Sequence, residues 1–272
     1  MAPNCLNFRA ILALCALPSA ALPALPTLPA VDCVINPYRE TDLSSPVAGV
    51  LKEVLVERSE PVSSGQVVAM LDASVETAAV ELAAVRSDIV SDIEEQSVNL
   101  EYDRLRQQRM DSLYQRNTAS KDLKEQAERE ARLTDVRLQQ ARDLKRSREL
   151  ELSRAKAQLE QKTLRAPFDG FVLQRFKTPG EYVEEQPVLR IAQLDPLSVE
   201  AVLPIEYFGK IEVGMSALIY PDAVSTQART AQVTVVDRFG NAASGTFGVR
   251  LELPNADLAV PAGLKCVVEL AD

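Results

Sequence analysis

Apolar residues follow three rhythms along this chain. From Ser74 to Gln161 they recur every three or four positions on a background of Ala, Leu, Glu, Arg and Gln, and no Gly or Pro stands between Gly65 and Pro167. That period and composition predict long helix. The rhythm breaks at the polar pair Asn117-Thr118, leaving Ser74 to Arg116 and Ala119 to Gln161, 43 residues on each side. Equal arms about a polar break predict an antiparallel helical hairpin, each arm reaching roughly 65 Å at about 1.5 Å per residue. On the second arm Thr134, Leu138, Ala141, Lys145, Arg148, Leu152, Ala155 and Leu159 alternate steps of three and four, the seam of a two-stranded coiled coil. Lys145 and Arg148 in that seam, with Asp103 and Gln107 on the other arm, make it polar for an isolated rod. Neighbouring hairpins that support one another in a ring are the expected remedy.

The second rhythm is one of short strands cut by turn residues, and it occurs twice. Cys33-Val34-Ile35 predicts a short strand ended by Asn36-Pro37. Then Ser45-Pro46-Val47-Ala48-Gly49-Val50-Leu51, Val54 and Val56, and Val67 to Leu71 are separated by turns at Ser59 to Pro61 and Ser63 to Gly65. After the hairpin, Ala166-Pro167-Phe168-Asp169-Gly170-Phe171-Val172, Tyr182-Val183 and Val188 to Ile191 repeat the pattern. One ungapped offset of 121 puts Pro46 on Pro167, Gly49 on Gly170, Glu60 on Glu181, Val62 on Val183 and Val67 on Val188. A single register over the whole motif marks an internal duplication. Two such halves, neither able to bury a core alone, are expected to close on each other as a small β-sandwich.

From Asp195-Pro196 the strands lengthen: Leu197 to Val202, Ser216 to Tyr220, Thr230 to Val236, Gly248 to Leu253 and Lys265 to Leu270. Turns are expected at Pro204, Gly214, Pro221-Asp222, Gly240-Asn241 and Pro261-Ala262-Gly263, and a short helix at Ile205 to Glu212. With the strand at Cys33 this makes six, enough to close a small barrel.

Composition narrows the function. The 272 residues carry a formal charge of −9, with basic residues interleaved among acids, so no basic stripe for nucleic acid is present. His is absent, which removes the commonest general base and metal ligand. The pairs Glu94-Glu95, Glu184-Glu185 and Glu57/Glu60 have no nucleophile or base near them in sequence, Met70, Met110 and Met215 are scattered, and Gly-rich phosphate loops are missing. The expectation is a protein that does no catalysis and holds no cofactor or metal.

The N-terminus predicts export. Arg9 precedes the apolar run Ala10 to Leu17, and Ser19-Ala20-Ala21 is a small-residue cleavage site, giving a signal peptide over 1–21 and a Pro/Ala-rich linker over 22–30. Pro18, Pro23, Pro26 and Pro29 argue against a spanning anchor, and the residues before Cys15 and Cys33 argue against a lipid anchor. Cleavage leaves Cys33 and Cys266, which in an oxidising compartment can pair as a disulfide or stand as two small buried apolar residues.

The duplicated Pro-x-x-Gly and Gly-Glu or variant, with Val two residues later, resembles the two halves of a biotinyl-lipoyl domain. In carriers of that fold the hairpin between halves bears the modified lysine; here the helical rod takes its place, and no lysine stands between Lys52 and Lys121. A lipoyl-like domain split by a long hairpin resembles the periplasmic adaptor, or membrane fusion, proteins of tripartite efflux and secretion systems, the HlyD-like and RND-type adaptors. Arg109, Leu113 and Ser120 stand at the spacing by which adaptors of this family dock on an outer-membrane channel, with Met110 where Leu is common and Glu125 where Asp is common. Read for themselves, Arg109 and Leu113 share a helix face and Ser120 is equally suited to capping the second arm.

The resemblance implies an α+β chain: strand 31–40 belonging to the barrel, lipoyl-like halves at 41–72 and 163–194, hairpin at 73–162, and barrel at 195–272, with Cys33 and Cys266 in one domain. Larger adaptors that this chain resembles carry a further membrane-proximal domain after the barrel, and with the chain stopping at Asp272 none is expected here. The function implied is that of a periplasmic, ring-forming adaptor between an inner-membrane transporter, proton-driven or ATP-driven, and an outer-membrane channel. An exported coiled-coil scaffold serving another envelope partner is the alternative.

Overall fold

A computed structural model describes residues 30–222 and 227–270 of the chain. The signal peptide expected at 1–21 lies outside the described residues, as does the linker save its last position. The chain divides into two units.

Unit 2 comprises Asn36–Ser198 and Pro254–Gly263. Its strands are β1 (Val31–Ser44), which begins in the other unit, β2 (Gly49–Val54), β3 (Pro61–Val62), β4 (Val67–Leu71), β5 (Thr163–Arg165), β6 (Gly170–Arg175), β7 (Tyr182–Val183) and β8 (Pro187–Pro204), whose last residues pass to unit 1. The duplication is reproduced in the hydrogen bonds. β2 and β6 begin and end 121 positions apart, and so do β3 and β7. Each half pairs with the other: Gly49 opposes Val183, and its counterpart Gly170 opposes Val62. The Ser59 N–H donates to the Val172 carbonyl at 2.8 Å, and its counterpart, the Gly180 N–H, donates to Leu51 at 2.7 Å. Leu51 and Val172 in turn donate to the carbonyls of Glu181 and Glu60. Even the turns match, for the Glu60 carboxylate accepts from the Glu57 N–H at 2.7 Å and the Glu181 carboxylate from the Thr178 N–H at 2.8 Å. Ser59 and Gly180 both take positive φ, 68° and 92°.

Between the halves lies one core, including Leu51, Val62, Val68 and Leu71 from the first and Val172, Val183, Leu189 and Ile191 from the second. At about 1.5–3 kcal/mol for each large apolar side chain buried, a half left alone would forfeit most of what it gains by closing on its counterpart.

The outer strands are tied by charge. Arg190 on β8 donates from Nε and Nη2 to the two carboxylate oxygens of Asp42 on β1 at 2.5 and 2.8 Å, and stacks 5.4 Å over Phe176. These hydrogen bonds hold the Asp42 carboxyl below its ordinary value of 3.8. Its folded pKa being depressed, the stabilisation is complete above that ordinary value and is lost as pH falls through the folded one. Arg190→Gln is therefore expected to lower the urea midpoint at neutral pH, and the gap from the parent should close as pH falls below about 4. A gap that stays constant down to pH 2 would rule this pair out as its source.

The hairpin consists of α1 (Ser74–Ser87), α2 (Ser91–Gln115) and α3 (Lys121–Glu160). Its second arm is one helix, as expected, but the first is interrupted at residues 88–90. No Gly or Pro marks the interruption. Ser87, buried, turns its hydroxyl back to the Ala84 carbonyl at 2.8 Å, and Ile89 and Val90 are β-branched, so side-chain competition and restricted rotamers coincide there. The seam lies where the spacing put it: Thr134, Leu138 and Ala155 are buried, and Lys145 and Arg148 half-buried. Two of its polar members are paired across the arms, the Thr134 hydroxyl donating to Asp103 at 2.6 Å and Arg148 lying 3.7 Å from Asp92, while Lys145 pairs along its own arm with Glu149.

Unit 1 takes in the described residues up to Ile35, Val199–Leu253 and the stretch from Leu264. It adds β9 (Ser216–Pro221), β10 (Arg229–Asn241), β11 (Thr246–Leu253) and β12 (Leu264–Leu270), in the order β1-β12-β9-β10-β11-β8, with a further β1–β8 pairing that brings the order back to its start. Six strands were expected, and six are present among the described residues. Several local expectations fail, however. β1 does not end at Asn36-Pro37; its ladder with β12 stops at Ile35, and the strand runs on past Pro37, which has no N–H to donate. β8 likewise passes through Asp195-Pro196 without a break. Gly240-Asn241 lies in the ladder rather than the turn, opposite Phe247 and Thr246. The helix expected at Ile205 to Glu212 is a single 3-10 turn, Ile205–Tyr207, because Phe208 is extended and Gly209 takes φ 84°. The loop Pro254–Gly263 belongs with unit 2, where Asn255, buried, accepts from the Val260 N–H and donates to the carbonyls of Leu194 and Val260.

Candidate functional site

The tip of the hairpin is built by one C-terminal motif and one N-terminal cap. α2 ends at Gln115, and Asn117 follows in the left-handed region at φ 58°. The Thr118 N–H donates to the Leu113 carbonyl and the Asn117 N–H to Tyr114, both at 2.9 Å, while the Thr118 hydroxyl adds a second bond to Leu113 at 2.8 Å. This is a Schellman closure with Asn in the place usually taken by Gly. It satisfies the last carbonyls of α2 and reverses the chain within five residues. Ser120 then caps α3, its Oγ accepting from the Leu123 N–H at 3.3 Å.

A charged bracket holds the two arms just behind the turn. Lys124 of α3 reaches across to Asp111 of α2 at 2.8 Å, lies 3.7 Å from Glu128, and sits 5.3 Å over the Tyr114 ring. The hydrogen bond to Asp111 raises the Lys124 pKa above 10.5, so the bracket is intact at neutral pH. Sequence reasoning missed this bracket, since it joins positions thirteen apart across a turn whose geometry was unknown. The signal available was a lysine one turn into the second arm and an acid one turn back on the first.

Of the three residues singled out beforehand, Arg109 and Leu113 stand one helical turn apart on α2 and Ser120 lies on the far side of the turn. Arg109 is exposed and has no ion-pair partner among the described residues; Asp111, its nearest candidate in sequence, is taken by Lys124 and Gln115. Leu113 is half-buried, and Ser120 is exposed with its hydroxyl engaged as a cap. Glu125 pairs with Lys121 at 3.0 Å and Met110 is half-buried. In unit 1, Cys33 and Cys266 oppose each other directly in the β1–β12 ladder, both buried, with Sγ atoms 2.05 Å apart. Among the described residues no cluster of Cys, Asp or Glu is arranged to hold a metal, and no helix is long and apolar enough to cross a membrane.

Residues 39–193, more than half of the chain and including both half-motifs and the entire hairpin, match the CzcB-like barrel-sandwich hybrid domain. The chain belongs to that family. Its barrel-sandwich hybrid is the duplicated sandwich described above. The fold extends beyond the matched residues: MacA from Actinobacillus actinomycetemcomitans superposes with a TM-score of 0.76 over 89% of this chain and 78% of its own, at 15% identity. The membrane fusion protein Spr0693 from Streptococcus pneumoniae R6 gives a TM-score of 0.64 over 90% of this chain and 99% of its own, at 16% identity. A UPF0194 membrane protein from the asrC 5' region of Acidithiobacillus ferridurans is 40% identical over 73 residues, which is 26% of this chain and 22% of that relative. The expected sandwich split by a helical hairpin is thus borne out, as the family of the CzcB-like barrel-sandwich hybrid domain and as a fold shared with solved membrane fusion proteins. The barrel-sandwich hybrid carries its hairpin at the junction where a carrier of the lipoyl type would carry its lysine.

Proposed function

We propose that this barrel-sandwich hybrid protein is a periplasmic adaptor that joins an inner-membrane transporter to an outer-membrane channel, and that the hairpin tip makes the channel contact. The observation that carries the reading is Arg109: an exposed guanidinium without an ion-pair partner among the described residues, one turn from Leu113, on a tip rigidly closed by the Asn117 turn and the Lys124–Asp111 bracket. A cation free of local pairing, beside an apolar side chain on a preorganised tip, suits docking into a groove with acidic and apolar lining. The protein then works by contact geometry rather than catalysis. The Cys33–Cys266 pair, in this reading, is oxidised on export and keeps the first and last barrel strands together.

A photoreactive residue at Leu113 or Ser120 is expected to capture an outer-membrane channel in cells. Arg109→Glu should reduce that capture at least tenfold without changing the melting temperature, because Arg109 makes no structural pairing. Capture of soluble proteins alone would defeat the channel contact and favour a scaffold.

A further inference from the structure

One end of unit 1 gathers exposed apolar side chains. β8 passes into the unit at Val199 and ends at Pro204, and β1 leaves it at Ile35, so Pro204 and Val31 both stand about 13–17 Å along their strands from those crossings. The two strands pair with each other. The tip of the β10–β11 hairpin is at this end too, because the 3-10 turn after Pro204 lies on it. The Ile205 N–H donates to the Gly245 carbonyl at 2.8 Å, and the Phe208 ring meets the buried Phe247 edge-on at 5.5 Å. A Cβ at Gly240 would stand 3.2 Å from Ile205 Cδ1, so Phe239 is next to a residue that touches the turn. Yet Ile205 is 50% exposed, Phe208 48% and Phe239 76%. Three large apolar side chains gathered at one tip are more than the scattered exposure that surfaces ordinarily carry.

The chain's own sequence holds a match for this tip. Residues 22–30, of which only Ala30 is among the described residues, read Leu-Pro-Ala-Leu-Pro-Thr-Leu-Pro-Ala. That is the triplet Leu-Pro-small three times over, with no charged side chain. Proline at every third position favours polyproline II, whose three residues per turn put Leu22, Leu25 and Leu28 on one edge. An apolar edge of that kind gains by being covered, as the tip does. Aromatic surfaces are what such a helix docks on, and it is stiff enough to lose little entropy in doing so. Reach points to the same tip. Ala30 precedes the first residue of β1, and Ile205 follows the last residue of its neighbour β8. Adjacent strands lie only about 5 Å apart, and the eight residues 22–29 extend roughly 25 Å at about 3.1 Å each.

We infer that the linker residues 22–29 lie across this tip, with the edge of Leu22, Leu25 and Leu28 against Ile205, Phe208 and Phe239. The occupant of the apolar tip is therefore the chain's own linker, held on the end of unit 1. A tether this short gives it a high effective concentration at the tip, which favours it over any outside partner. The inference stands apart from the adaptor reading, and its test needs neither transporter nor channel.

The protein has no Trp, so Leu25→Trp places a single fluorophore in the middle of the linker. In the exported, purified protein its emission is expected to be blue-shifted, and its quenching by acrylamide about threefold weaker than that of free N-acetyltryptophanamide. Adding either Phe239→Ser or Leu28→Ser should return quenching towards the free value. The second of these leaves the folded unit untouched, so a folding defect cannot account for the same result in both. Quenching like that of the free fluorophore, or quenching unchanged by both substitutions, would overturn the inference. A benzophenone-bearing residue in place of Phe239 then identifies the occupant, in a mixture of isotopically heavy and light chains. The expected product joins the β10 peptide to a peptide containing Leu25 within one chain. Heavy-to-light products would assign the tip to a second copy, and capture of lipid or another protein in cells would assign it to those; each of these, like the absence of any product, counts against the linker.

Discussion

Cys33→Ala is expected to lower the stability of unit 1 by roughly 3–5 kcal/mol, because the bond it removes closes a very long loop. The two cysteines are 233 positions apart in sequence, and loop-closure entropy in the unfolded chain grows, though slowly, with that span. The native side explains the dependence further. β1 contributes only Val31 to Ile35 to the ladder with β12, a short edge that the cross-link anchors at its central pair. Both side chains are buried, so Ala leaves a small void without stranding a hydroxyl in the core. Urea unfolding followed by near-ultraviolet circular dichroism should show the parent in dithiothreitol shifting towards the variant, while the variant is indifferent to reductant. Equal midpoints for all four samples would show that the pair carries no stability.

The second large effect separates two glycines that the duplication makes equivalent. A Cβ at Gly170 would stand 2.4 Å from the Ala192 carbonyl oxygen and 2.9 Å from its carbon, both backbone atoms of β8. At Gly49 the corresponding contact is 2.8 Å from Leu71 Cδ2, the end of a flexible side chain. The contacted residues, Leu71 and Ala192, are themselves counterparts at the same offset of 121. Gly170→Ala must push two paired strands apart and is expected to destabilise unit 2 by about 3 kcal/mol or more, whereas Gly49→Ala, relieved by a rotamer change, should fall near the low end of the 1–3 kcal/mol typical of overpacking. Thermal melts of the two variants read the difference directly. Equal losses would mean that β8 yields as easily as a leucine side chain.

Much of the site was legible because its signals are local. A helix of this length announces itself by composition and period, and a break by the polar pair at Asn117-Thr118. Arg109, Leu113 and Ser120 stand out through the resemblance to adaptor tips; helical spacing alone says only that the first two share a face, and Ser120 fulfils the preference of Ser for a cap. The bracket at Lys124 and the left-handed Asn117 were out of reach, since both depend on how the chain reverses. The interruption at 88–90 was missed because weak helix formers stop a helix only when the surrounding packing lets them.

By itself the amino-acid order determined the architecture: a duplicated strand motif, a rod inserted between its copies, and a run of longer strands after them. Each is written in periodicity and in one constant offset, which need no knowledge of distant partners. Tertiary structure decided where strands end. Pro37 and Pro196 look like terminators, yet β1 and β8 run through them, because a proline breaks a strand only where its missing N–H is needed by a neighbour. It also decided that residues 254–263 return to the sandwich unit, through the hydrogen bonds of one buried Asn255 to Leu194 and Asp195, and that Cys33 faces Cys266 in a ladder. Those outcomes rest on pairings between residues about 60 to 230 positions apart, which the chain specifies only when it has closed.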